Sequence, residues 1–471
     1  MEADPAPAIR GSPVISAESK TDDEAPILPL SLPLHHRHRL EAMAMADDVW
    51  EELSQDIPSA SDPFIQQFLA GRSGLVDQEE ASRSDASFRN ALSPIARRAC
   101  AIVDAIRRRE RDTVWSDGSV FPGMMFMLAK ERLENTALWR IVRRMPKGCL
   151  LHAHMDAMVD FDFLLDELLS MPGMHMASDD YSHMFQVLEE EVTRFKSSVE
   201  GRGFWGLRTI WTSMRSSETR QLIENMDHCI TTKMEFPHLV AGYDLVGPED
   251  LGKPLVDMLP ELFWFRKQCS NEGVNVPFFF HAGETLGSGS GADANLVDAI
   301  LLGTRRIGHG FSLYKHPLLI DMVKEKHILI ESCPVSNEVL RLCGSITSHP
   351  LPALLARGVA CCLCNDDPAM LGQGTAGMSH DFWQALQGWD NLGLAGLGSL
   401  AENSVRWAAF EDQEGGEWAR DVREASLGEG VKARRLQEWR VEWEGFCLWV
   451  VTEFGDEVND GEEEEEEAGA A

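Results

Sequence analysis

Four short runs of this sequence combine residue types that can hold a cation and move protons, and each closes an apolar stretch. Leu151-His152-Ala153-His154 sets two imidazoles two residues apart, which on a strand project to one face and can grip one metal ion together. Phe278-Phe279-Phe280-His281-Ala282-Gly283-Glu284 is an apolar strand ending in an imidazole and, three residues on, a carboxyl suited to acid or base work. Arg306-Ile307-Gly308-His309-Gly310 holds a histidine between two glycines, which permits close backbone approach. Cys364-Asn365-Asp366-Asp367-Pro368 puts two adjacent carboxylates after another apolar run. Taken singly, a buried histidine is more often a satisfied core residue and an Asp pair before Pro more often a turn. A second HxH, His36-Arg37-His38, lies in a Pro-flanked basic loop and reads as surface. Four such elements on four apolar runs point instead to one shared site, because isolated imidazoles and carboxylates there would be costly to bury.

The elements that must position these residues are β-rich runs over 149–154, 206–213, 238–246, 276–281, 306–311, 327–333 and 359–364, alternating with helical stretches. Such alternation specifies parallel strands with crossover helices, and every run of interest lies at or just past the carboxyl end of a strand, where (β/α)8 barrels place their chemistry. Helices are expected over 91–108 and 124–143, and a helical tail over 379–454, in which Ser399-Leu400-Ala401-Glu402 reads as a capping box opening a helix.

Composition bounds the rest. Lys and Arg total 43 against 76 Asp and Glu in 471 residues, a formal charge of -33, so duplex nucleic acid and anionic membrane surfaces are excluded as partners. Ten cysteines are too few for a disulfide scaffold and sit largely in apolar runs, so they read as reduced core thiols. Within Cys361-Cys362-Leu363-Cys364 the side chains would alternate faces on a strand, which argues against a cluster metal site. The amino terminus carries Glu2 and Asp4 where a secretory signal needs Lys or Arg, and no stretch is long and apolar enough to span a membrane; a cytoplasmic location is expected.

The runs quoted above, with Met145-Pro146-Lys147-Gly148, Glu331-Ser332-Cys333-Pro334-Val335-Ser336-Asn337 and the stretch from Gly242 to Asp250, resemble the adenosine deaminase family. The MPKG lead-in and the Gly242 stretch resemble its adenosine-deaminase-related growth factor branch in particular, and the likeness covers about residues 121–454. It implies an α/β fold of the TIM-type (β/α)8 barrel with one catalytic Zn²⁺ per chain, held by His152, His154, His281 and Asp366, and hydrolytic deamination of adenosine to inosine. By the same resemblance Glu284 protonates the purine N1, His309 orients or deprotonates the attacking water, Asp367 binds N7, the Gly247 amide reaches N3 and Asp156 holds the ribose hydroxyl. Three neutral imidazoles and one carboxylate suit zinc, which lowers the pKa of bound water towards about 7. The expected partner is a small-molecule nucleoside, with a homodimer left open as the assembly. Relatives of this branch supply the alternative location, secreted.

The sequence departs from the family in one interval. Seven strands are legible where a closed barrel needs eight, and residues 160–202 offer helix-like 161–170 and 182–198 joined at Pro172-Gly173, with no run of strand character. A barrel lacking its second strand is expected, open or distorted, with a catalytically impaired or binding-only derivative as the alternative function. The expected divisions are a largely disordered extension over 1–85, a helical lead-in over 86–148, the hydrolase barrel over 149–410, helices over 411–455 and an acidic disordered tail over 456–471.

Overall fold

The computed structural model describes residues 50, 54–116, 121, 123–159, 163 and 181–456. The chain divides into two units, residues 1–73 and 74–471. In the first, the described residues form a turn and the beginning of the helix Pro63–Ser82, none of whose residues is buried. The acidic run Glu462 to Glu467 lies outside the described residues, and so does the helix expected over 161–170 apart from Phe163, which is helical.

The second unit is built on parallel strands: β1 (Thr209–Met214), β2 (Val240–Val246), β3 (His281–Ala282), β4 (Arg306–His309), β5 (Leu329–Ser332) and β6 (Cys361–Leu363). β1 pairs with β2, and β3 to β6 form a second ladder in chain order, every pair parallel. A parallel bridge from Tyr243 to Phe278 joins the two ladders, and another from Ala153 to Asp366 adds the segment around His152 beyond β6. The result is an arc of seven parallel segments, each returning through a crossover helix, which is the winding of a TIM-type barrel. Among the described residues β1 and the His152 segment do not pair, so the barrel is not closed there.

Burial explains why these runs are strands. All seven residues of β2 are buried, and so is every residue of β3 to β6, as expected for parallel strands covered on both faces. Cys361 packs in the main core while Cys362 and Cys364 lie in a second cluster, so the alternation read from the sequence holds; all ten cysteines are free thiols. The interval after the His152 segment contains the helix Tyr181–Lys196, followed by turns to β1. No helix among the described residues is long and apolar enough to cross a membrane.

Two helix expectations need correction. The stretch 124–143 is two helices, Phe126–Leu133 and Ala137–Arg144, because Thr136 breaks the run: its Oγ1 accepts from the Trp139 amide at 3.1 Å and caps the second. The Ser399 to Glu402 pattern does not open a helix but lies inside Gly393–Arg406. Packing overrides propensity there, since a Cβ on Gly398 would lie 2.7 Å from the Trp443 ring and 2.8 Å from that of Phe88. The glycines that look like a helix breaker are what let this helix approach its neighbours.

Candidate metal centre

At the carboxyl ends of the arc, one ligand atom from each of His152, His154, His281 and Asp366 falls within 4.8 Å of the others. Asp366 Oδ1 lies 3.3 Å from His152 Nε2 and 3.2 Å from His154 Nε2. The edge of a tetrahedron with ligands about 2.0–2.1 Å from its centre is roughly 3.3 Å, which these two spacings match. His152 Nε2 is buried and has no hydrogen-bond partner, a costly state that a cation would relieve. The residues present therefore fit a divalent metal ion with nitrogen and oxygen ligands.

Buried carboxylates hold the rings in place. His281 Nδ1 is 2.6 Å from Asp244 Oδ2, and the His281 amide donates to Asp244 Oδ1 at 2.9 Å, which leaves Nε2 for the metal. His152 Nδ1 is 3.0 Å from Glu331 Oε2, and Arg306 donates to the other oxygen of Glu331. Burial alone would raise the Glu331 pKa, but the Arg306 guanidinium and His152 hold it below the usual carboxylate range. Gly308 is small for a reason: a Cβ there would lie 2.8 Å from His152 Cε1, displacing the ligand ring. Asp366 accepts from Ser336 Oγ at 2.7 Å, and its backbone is locked to the His152 segment by the His154 amide at 2.9 Å. Asp366 and His309 both adopt left-handed φ, 57° and 60°, a conformation non-glycine residues hold at a cost that concentrates at functional sites.

Beside the cluster stands a further carboxyl. Glu284, His309 and Asp366 form a second convergent group, and Glu284 Oε1 lies 3.3 Å from His309 Nδ1. Burial, then the negative charges of Asp366 and Glu249, push the Glu284 carboxyl up to about 8, so it is protonated at neutral pH. The turn that presents it is braced by Glu249, whose two oxygens accept from the Gly283 and Glu284 amides, each at 3.1 Å. For Asp366, burial is outweighed by the surrounding histidines, which hold its carboxyl well below the usual range. For His152, burial is outweighed by the neighbouring carboxylates of Asp366 and Glu331, which raise its pKa, so protons now compete for the lone pairs a cation would take.

The remaining expected site residues lie just past the carboxyl ends of the same parallel segments. Asp367 follows Asp366, and burial and the Asp366 charge raise its pKa. Gly247 directly follows β2 with φ at 102°, beside Met214 of β1. Asp156 is exposed in a short helical turn just after His154. The sequence reading did not single out Asp244, Glu331 or Ser336 as supports. A carboxylate inside the wholly apolar runs of β2 and β5 was the signal available for the first two.

The adenosine deaminase family model matches residues 172–425, just over half of the chain. The chain belongs to the adenosine deaminase family. His281, Glu284, His309, Asp366 and Asp367 lie inside that match, and His152, His154 and Asp156 precede it. The chain is 32% identical over 310 residues to adenosine deaminase 2-A of Danio rerio, covering 64% of this chain and 58% of that protein. It is 40% identical over 227 residues to adenosine deaminase 2 of Sus scrofa, covering 48% and 43%. The chain thus spans about half the length of the curated relatives it matches. Among solved structures, an amidohydrolase from Burkhoderia ambifaria with bound Zn shares 18% identity at a TM-score of 0.47, covering 67% of this chain and 94% of that one. A likeness of that size carries no inference about chemistry.

Proposed function

We propose that this family member is a zinc-dependent aminohydrolase that converts adenosine and water to inosine and ammonia. The observation that carries the reading is the buried Glu284 carboxyl, its pKa pushed up to about 8, standing beside a cluster of three imidazoles and a carboxylate. His152, His154, His281 and Asp366 would hold the zinc, which when bound lowers the pKa of water to near neutrality. Glu284 donates its proton to N1, so that C6 can accept the water oxygen and the ring nitrogen can take the developing charge. His309, whose Nε2 lies 3.9 Å from Asp366 Oδ2, would orient or deprotonate the attacking water. As the C6–N bond breaks, one hydrogen of the water ends on N1 and the other leaves with ammonia, which restores the Glu284 proton over the cycle. Asp367 would bind N7, the Gly247 amide would reach N3 and Asp156 would hold the ribose hydroxyl.

Metal analysis of the purified chain, together with the fall in ultraviolet absorbance as adenosine becomes inosine, tests this directly. One zinc per chain and turnover abolished by a chelator are expected. A metal-free chain, or a zinc-loaded one without turnover, overturns it. The second outcome would favour binding without catalysis, a reading supported by the gap between β1 and the His152 segment, which do not pair among the described residues.

A further inference from the structure

Behind His309 runs a buried chain of hydrogen bonds that the reaction scheme above does not use. The Leu351 amide donates to His349 Nδ1 at 3.1 Å. His349 Nε2 is 3.0 Å from Asn337 Oδ1, and Asn337 Nδ2 is 3.1 Å from His309 Nδ1. All three side chains are buried, Asn337 completely. The direction of this chain is set at its far end. Leu351 opens the helix Leu351–Ala356, so its N–H has no carbonyl within the helix to bond and must find an acceptor elsewhere. An amide can only donate, hence His349 Nδ1 carries a lone pair. Burial keeps His349 neutral, its pKa pushed down to about 3, so its proton is on Nε2 and is given to Asn337 Oδ1. The amide of Asn337 is thereby oriented with Nδ2 as donor to His309 Nδ1.

We propose that Asn337 and His349 are positioning residues that fix the His309 proton on Nε2, so that His309 meets the attacking water as an N–H donor rather than with a lone pair. The inference rests on the deaminase reading for its chemical meaning, though the tautomer itself does not. Two further observations agree with it. His309 Nε2 points into the cluster, 3.9 Å from Asp366 Oδ2, where an N–H is attracted by the carboxylate and a lone pair would be repelled. Glu284 Oε1 approaches the same Nδ1 at 3.3 Å but makes no hydrogen bond, so Asn337 is the partner that decides the tautomer. Of the two roles open to His309, orienting the water or deprotonating it, the chain from Leu351 selects the first.

The test is long-range proton–nitrogen correlation NMR on the full chain with isotope-labelled histidine, with and without added zinc. The His309 signal is assigned by its loss in His309→Gln. The expected wild-type result is the Nε2–H form. In Asn337→Asp a carboxylate can only accept, so the proton should move to Nδ1, and kcat should fall on the order of 10²-fold with KM changed little, as when one preorganised donor is lost. His349→Gln keeps an N–H towards Asn337 and an oxygen towards Leu351, so tautomer and kcat should both be retained to within a few-fold. An Nδ1–H signal in the wild type, or an unchanged tautomer in Asn337→Asp, overturns the proposal. The wild-type spectrum decides it alone if the variant does not fold. A wild type in the Nε2–H form but without turnover would overturn the deaminase reading and leave the tautomer assignment standing.

Discussion

Along β3 to β6 every strand residue is buried, and the polar side chains that cap the strands are each gripped by a second buried group: His281 by Asp244, His309 by Asn337, Asp366 by Ser336. Across the pocket the material differs. β1 alternates buried and exposed residues, Met214 at its end is 49% exposed, and the His154 side chain keeps 28% of its surface open. One side therefore imposes ligand geometry from a buried, hydrogen-bonded frame, while the other meets solvent. Metal affinity and proton chemistry should then respond to changes in the β3 to β6 arc, and changes on the β1 side should be felt mildly.

The largest effect expected is from Asp366→Ala. It removes a ligand and leaves three imidazoles without their anionic partner, so the chain should lose its metal and turnover should fall by about 10³-fold or more. Elemental analysis beside the ultraviolet assay reads both, and retained zinc would take Asp366 out of the ligand set. Glu284→Gln comes next, with metal retained and turnover lower by roughly 10²–10⁴-fold, because the amide keeps the shape without an acidic proton. Asp244→Asn tests the frame: it should weaken metal affinity by about 10–100-fold, measured by chelator competition, since the group that orients His281 loses its charge.

The pH dependence follows from Glu284. Its carboxyl is raised from an ordinary 4.5 to about 8, so the acid form that the proposed protonation of N1 requires is present at neutral pH and turnover should decline as pH rises through about 8. The same shift has a sign for stability. Between 4.5 and about 8 the folded chain holds a proton that the unfolded chain has released, so this group's contribution to stability falls as pH rises across that window. Denaturant midpoints of wild type and Glu284→Gln, compared across the window, should converge on the acid side and part on the alkaline side. Parallel curves would show that Glu284 ionises normally.

How much of this could be read beforehand divides along physical lines. The strands of the arc were legible because parallel strands buried on both faces are continuous apolar runs, and the candidate ligands were legible because imidazoles and carboxyls at the ends of such runs are anomalous. The bracing groups were not, since they act through hydrogen bonds between residues far apart in sequence: His152 with Glu331 across 179 positions, His281 with Asp244 across 37. Ser399 misled because its local pattern describes an exposed helix start, whereas neighbouring Gly398 is packed against Phe88 and Trp443. Local rules fail where tertiary contacts supply what the local pattern lacks.

The smallest prediction sharpens the comparison most, because it removes one methylene on each side. Ile330 of β5 is fully buried and paired in register between Ile307 and Cys361. Ile210 of β1 is partly buried and stands opposite Gly242, which offers no side chain to pack against. Substituting valine keeps the β-branch and the strand preference in both, so the difference between the two variants isolates packing around the lost carbon. Ile330→Val should cost about 1 kcal/mol, the middle of the range for a buried deletion of this kind, seen as a lower urea midpoint at unchanged slope. Ile210→Val should cost less than half as much, because atoms already in contact with solvent leave no cavity behind when they are removed. Neither variant should alter zinc content. Equal losses in the two would mean that the β1 flank is packed as tightly as the arc, and the division between a buried frame and a solvent-facing side would have to be abandoned.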